Sequence, residues 1–172
     1  FKLNHWRTLF FQFLSVLALI QAKYPGFRHN DLKANNILIH NIGNSKKNNL
    51  FKYKINGNVY IIPNIGFQIK IWDFDFACIG GIVENSKVNG EWTDKINVNT
   101  GKNRYYDVHY FFNTLTRRGF YPDFWETDEI HHSIKDFIRR IIPEKYRSGD
   151  NVSKTGRLLI KDEFMTPEYI LK

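Results

Sequence analysis

The chain has 172 residues, 25 Lys and Arg against 17 Asp and Glu, a net charge of +8 and one cysteine, Cys78. That length suits a single domain with its own core, and one cysteine excludes an internal disulfide and fits a reducing, cytoplasmic setting. The cations are spread, with small clusters at Lys46-Lys47, Lys52-Lys54, Arg117-Arg118 and Arg139-Arg140. No arginine-rich arm or zinc knuckle joins them, so a dedicated nucleic-acid binder is not indicated. The default is a solvated basic face; nucleotide phosphates or acidic substrates are the anions it would otherwise serve.

In chain order, Leu3, Trp6, Phe10, Phe13, Leu14 and Leu17 recur at helical spacing. Phe11, Val16, Leu19 and Ile20 extend the apolar surface around the cylinder, predicting a deeply buried helix over 3–22. The apolar run from Leu9 to Ile20, broken by Gln12 and Ser15, is too short for the roughly 20 residues that cross a bilayer, and it has no signal-cleavage pattern. Pro25-Gly26 ends the helix, and Phe27 is a core anchor for the loop beyond it.

Asn36-Ile37-Leu38-Ile39 and Gln68-Ile69-Lys70-Ile71-Trp72 read as strands that pair antiparallel. Between them, 41–49 is a polar, lysine-rich loop. The alternating runs on either side of Asn56-Gly57 predict a hairpin over 51–62, because both turn positions need φ > 0. Partner recognition and structural elaboration are both open for this insertion at 40–66. Residues 78–102 carry no sustained period. The aromatic density from Arg104 to Leu115 predicts a buried central helix. Thr127-Asp128-Glu129 opens another helix with Ile130, Ile134, Phe137, Ile138 and Ile141 inward and Pro143 beyond its end. His131 and His132 read as surface residues pointing in different directions. Thr166-Pro167-Glu168 is a last helix start. The sum is an α+β domain, mainly helical, with a small hairpin sheet.

The chemistry concentrates in His29-Asn30-Asp31-Leu32-Lys33-Ala34-Asn35-Asn36 and, downstream, Asp73-Phe74-Asp75. Read as H-x-D-x-K-x-x-N followed by D-F-x, these supply the groups that phosphoryl transfer needs, in order. Asp31 would accept the proton of an attacking hydroxyl. Lys33 would neutralise charge on the phosphoryl group, and Asn36 and Asp73 offer hard oxygen ligands suited to Mg2+. The bland alternative makes Asp31 and Asn36 turn residues, but it leaves Lys33 and Asp73 unexplained.

With these motifs the chain resembles the C-terminal lobe of a eukaryotic-type serine/threonine protein kinase, closest to the divergent kinases of large DNA viruses. The resemblance implies a catalytic loop at 29–36, a metal-binding motif at 73–75 and an activation segment at 76–103, all within a partial kinase domain over 1–172. It implies Asp31 as catalytic base, Lys33 as phosphate contact, and Asn36 and Asp73 as ligands for Mg2+ and, with Lys33, for ATP. The partner would be a protein with a Ser or Thr hydroxyl, and a viral origin would place it in host cytoplasm or virion. His29 would be a packed, hydrogen-bonded brace. Asp107 would brace the catalytic-loop backbone; its other reading is an acid favoured by the helix macrodipole.

Lys33, two residues after Asp31, fits serine/threonine kinases better than small-molecule phosphotransferases. No glycine-rich loop or strand lysine precedes His29, so an N-terminal lobe is expected to be missing and the piece alone inactive. Asn30 stands where many such kinases carry arginine, so switching by loop phosphorylation is not expected, and Thr93 and Thr100 are only weak phosphosite candidates. Asp75 replaces a glycine and reads as structural or solvated rather than as a further ligand. Cys78 reads as packed near the nucleotide site. A pseudokinase scaffold and a small-molecule kinase are the alternatives.

Overall fold

The computed structural model describes residues 1–43 and 49–172; part of the polar loop expected at 41–49 therefore lies outside the described residues. Its helices are α1 (Leu3–Lys23), α2 (Glu91–Lys95), α3 (Tyr106–Leu115), α4 (His132–Ile141) and α5 (Pro167–Leu171). The strands are β1 (Phe27–Arg28), β2 (Ile37–Asn41), β3 (Leu50–Ile55), β4 (Asn58–Pro63), β5 (Phe67–Ile71) and β6 (Cys78–Ile79). They form not one hairpin sheet but three separate antiparallel pairs, β1 with β6, β2 with β5 and β3 with β4.

Helices α1 and α3 build the core through their aromatic rings. Phe13 stacks on Phe111 with centroids 4.0 Å apart, and Phe10 meets Phe112 edge to face at 4.8 Å. Each such ring removed from water stabilises the fold by roughly 1.5–3 kcal/mol. The expected all-round burial of α1 does not hold: Leu19 is 46% exposed, while the supposed interruptions Gln12 and Ser15 are buried. Gln12 is buried because it joins two layers. Its Oε1 accepts the Ile69 N–H of β5 at 2.9 Å, and its Nε2 donates to the Tyr53 hydroxyl of β3 at 3.5 Å.

The β3–β4 hairpin turns at Asn56 (φ 47°) and Gly57 (φ 85°), both left-handed as a two-residue turn of this type requires. It lies on α1 through Phe11, whose ring is 5.1 Å from Tyr53 and 5.2 Å from Tyr60. Strands β2 and β5 pair with Ile37 opposite Ile71, and the Trp72 N–H extends the ladder to the Asn36 carbonyl at 2.9 Å.

Two helix starts differ from expectation. Helix α3 begins at Tyr106 rather than Arg104 because the Asn103 side chain accepts the N–H groups of both Tyr105 and Tyr106 at 3.0 Å. Helix α4 begins at His132 rather than near Thr127. The Lys135 ammonium donates to the Trp125 and Thr127 carbonyls at 2.8 and 2.7 Å, holding that stretch as turns. His131 caps α4 by accepting the Ser133 N–H at 3.2 Å, and its ring lies 4.2 Å from that of His132, so the two exposed imidazoles face one another instead of diverging. Among the described residues no helix is long and apolar enough to cross a membrane.

On α3, His109 is fully buried and its Nε2 donates to the Tyr146 carbonyl at 2.6 Å. Burial pushes its pKa down to about 4. The folded state therefore holds it neutral, whereas the unfolded chain protonates it near pH 6.5. Stability from this site is complete above pH 6.5 and is lost as pH falls toward 4, by on the order of 3 kcal/mol. Thermal melts of the chain at pH 7 and pH 4.5 should show that loss, and His109→Asn should reduce the difference; an unchanged pH response in the variant would assign the acid sensitivity elsewhere.

Candidate active site

Helix α1 hands the chain through Pro25-Gly26 to β1, which is pinned to β6 by the pairs Phe27–Ile79 and Arg28–Cys78. The next two N–H groups, of His29 and Asn30, both donate to the Asp107 carboxylate, at 2.8 and 2.9 Å. Asp107 is wholly buried in the first turn of α3, and burial pushes its pKa up against the pull of His29 and Arg28. Asn30 takes φ 65°, a left-handed conformation that asparagine tolerates better than most side chains. Its amide nitrogen then reaches the carbonyls of Phe76 at 3.0 Å and Asn99 at 3.2 Å.

This conformation delivers Asp31 into a cluster of polar groups. The Asn36 amide nitrogen donates to the Asp31 carbonyl at 2.8 Å and to its carboxylate Oδ2 at 3.1 Å. Lys33 Nζ lies 3.2 Å from the same Oδ2. The other oxygen, Oδ1, accepts from the Arg157 guanidinium, which also donates to the Asn30 carbonyl and, at 3.2 Å, to the Tyr106 hydroxyl. Arg157 lies 126 residues away in sequence and faces the Tyr110 ring at 4.2 Å. Burial disfavours its charge, but Tyr106, Tyr110 and Asp31 outweigh that and hold its pKa above the ordinary value.

Asp31, Lys33 and Asn36 are thus brought into direct contact. Asp73 is brought beside them through backbone rather than side chain. Its neighbour Trp72 donates its N–H to Asn36 O and offers its carbonyl to His29 Nε2 at 3.0 Å, while the Phe74 ring lies 5.0 Å from the His29 ring. His29 is therefore a packed, hydrogen-bonded bridge between the two motifs. Asp73 itself is exposed, at φ 62°, with Oδ1 accepting the Asp75 N–H at 3.4 Å.

Among the described residues, no group of three or more His, Cys, Asp or Glu is arranged for a metal. One amide oxygen and one carboxylate suit a magnesium ion that keeps most of its ligands as water and phosphate oxygens. Asn36 commits its nitrogen to Asp31, leaving its oxygen available. In donor chemistry, hard oxygens with no sulfur or imidazole, the pair is compatible with that ion. Asp75 is exposed and pairs with Lys87 at 2.9 Å.

Arg28 is 1% exposed and lies with its guanidinium 3.9 Å from the Tyr106 ring centre. It donates to Asn99 Oδ1 at 2.8 Å, to the Gly101 carbonyl at 3.1 Å and to the Asn97 carbonyl. Burial lowers its pKa, with Tyr106 and Asp107 opposing. Segment 97–101 is thereby fastened to the loop by amides and carbonyls. Thr93, a candidate for phosphorylation, is wholly buried and shares two hydrogen bonds with the Gly90 backbone, so its hydroxyl is not offered to solvent. Cys78 is buried beside Asn30, 3.4 Å from its amide nitrogen.

Arg157 is the residue that local reading misses. Its signal is faint: an arginine entering the apolar run Leu158-Leu159-Ile160 directly after Gly156. The turn carrying it is built by Gly156 N–H to Ser153 O at 2.9 Å and Ser153 N–H to Arg157 O at 2.8 Å, closed by a bridge between Val152 and Leu158. Gly156 has φ 92°, and a Cβ there would sit 3.0 Å from Arg117 Nε.

Residues 2–160 match the family described as poxvirus serine/threonine protein kinase. A relative from Acanthamoeba polyphaga mimivirus, provisionally named a serine/threonine-protein kinase, is 52% identical over 98% of this chain and 37% of its own length. A serine/threonine-protein kinase of swinepox virus is 35% identical over 65% of this chain and 22% of its own. The chain therefore spans well under half the length of these curated relatives.

Removing Arg157 leaves the Asp31 carboxylate in a mostly buried setting without its closest cation. Arg157→Ala should cost on the order of 3 kcal/mol in denaturant unfolding. In an Asp31→Asn background the same change should cost measurably less, since the pair is coupled. Equal losses in both backgrounds would show that Arg157 acts by packing alone.

Proposed function

We propose, for a chain that belongs to the poxvirus serine/threonine protein kinase family, that it carries the catalytic loop and metal-binding motif of an ATP-dependent protein kinase. The observation that carries the proposal is the convergence of Asp31, Lys33 and Asn36 on one carboxylate, with Asp73 held next to them through Trp72. The chain spans well under half the length of its relatives, so the activity is assigned to the intact protein.

In this reading a substrate Ser or Thr hydroxyl hydrogen-bonds to Asp31. As its oxygen bonds to the γ-phosphorus of ATP and the bridge to the β-phosphate breaks, Asp31 accepts the proton. Lys33, on the same carboxylate, is placed to steady charge on the transferred oxygens. Asn36 Oδ1 and Asp73 would hold magnesium, which when bound neutralises phosphate charge. Arg157 orients the Asp31 carboxylate, and His29 and Asp107 hold the backbone at the required geometry. Most of this is positioning in advance of reaction, where single groups are worth large factors.

A second, non-catalytic reading has two observations in its favour: both Asp31 oxygens are already engaged by cations, and Asp75 puts a charge where such kinases carry glycine. An interaction scaffold would tolerate both. Transfer assays separate the readings. With the intact protein and a serine-peptide library, Asp31→Asn should lower phosphate transfer by at least about a thousandfold in a variant that circular dichroism shows to be folded. Asp73→Asn should raise the magnesium concentration needed for ATP binding. Wild-type transfer by Asp31→Asn would remove this residue from the reaction; no transfer and no magnesium-dependent ATP binding by the wild type would favour the scaffold.

A further inference from the structure

Beside the candidate site lies an open cleft of about 700 Å³ whose lining includes Lys33, Arg117, Arg118, Arg147 and Lys154, and no carboxylate. Its apolar wall includes Tyr110 of α3 and Trp125. The Arg147 guanidinium lies 5.4 Å from the Trp125 ring centre. Arg117 is held by donating to the Lys154 carbonyl at 2.6 Å, which ties one rim of the cleft to the turn at 153–157. Arg118 and Lys154 are exposed, and among the described residues neither side chain has an ion-pair or hydrogen-bond partner. A solvated basic face disperses its charges or interleaves them with acids; here five cations border one concavity, where low-dielectric walls focus their field.

Lys33 belongs to both places, lining the cleft and touching Asp31 at 3.2 Å. A hydroxyl presented to Asp31 therefore brings its own chain over the cleft. An extended chain advances about 3.3 Å per residue, so the positions within about three of the acceptor fall there. Resting on the kinase reading above, we propose that this cleft selects acidic protein segments: the substrate carries Asp, Glu or phosphorylated residues flanking the acceptor Ser or Thr. Continuity with Asp31 favours a peptide over a nucleic acid, because in the kinase reading the hydroxyl at Asp31 belongs to a Ser or Thr side chain.

The test uses the intact protein, acceptor peptides flanked by glutamates, glutamines or lysines, and the paired substitution Arg118→Glu with Lys154→Glu. At low ionic strength the glutamate-flanked peptide should have a kcat/KM about tenfold above its glutamine counterpart, an advantage that fades with added salt. The paired reversal should bring that ratio to within about twofold, and Arg118→Lys with Lys154→Arg should keep it. A wild-type ratio at or below one, or a ratio untouched by the reversal, would overturn the proposal.

Failure of the kinase reading is recognised separately, as no transfer to any peptide. Fluorescence anisotropy of a labelled glutamate-rich peptide with alanine as acceptor then still interrogates the cleft. Binding lost on reversal supports acidic-segment recognition. Absence of such binding, or reversal-sensitive binding of an oligonucleotide in its place, overturns it.

Discussion

Two N–H groups on one buried carboxylate hold the candidate site in place. Asp107 takes the His29 and Asn30 amides, and without it two backbone donors would be stranded in a region with no water to satisfy them. Burial pushes the Asp107 pKa up, and the arrangement fixes the backbone at the point where φ turns positive. From that point Asn30 directs its side chain toward 76 and 99, and Asp31 faces Lys33, Asn36 and Arg157. The macrodipole reading of Asp107 adds nothing the two hydrogen bonds do not already explain.

Asparagine at position 30 has an effect of its own. An arginine there would carry a charge to pair with a phosphate on the downstream segment. Here the cation stands two residues earlier: Arg28 is buried against Tyr106 and directs its donors to Asn97, Asn99 and Gly101. The segment is fastened by this cation on neutral acceptors already present in the chain.

How far the sequence can be read depends on the range of each interaction. The hairpin turn at Asn56-Gly57 and the pairing of β2 with β5 arise from local backbone demands and period-two alternation, and both are legible. The motif order is legible because its chemistry is unusual, although side-chain contact joins Asp31, Lys33 and Asn36 and not Asp73. Gln12 looks like a break in an apolar face because nothing nearby says that β3 and β5 will offer it partners. The α4 start is hidden because Lys135, downstream, captures two carbonyls that a longer helix would have used. Arg157 is invisible for the same reason on a larger scale: its partner is 126 residues away.

The two ends of the turn at 153–157 face different tasks. Lys154 lines the cleft, Arg157 pairs with Asp31, and Gly156 between them has a backbone angle few other residues adopt and little room for a side chain beside Arg117. In the proposed reading, discrimination among targets and placement of the Asp31 carboxylate are therefore wired to five consecutive positions. A lineage cannot retune one without perturbing the other, so changes of target in this family's history should travel with compensating changes around the aspartate, rather than drifting freely at the surface.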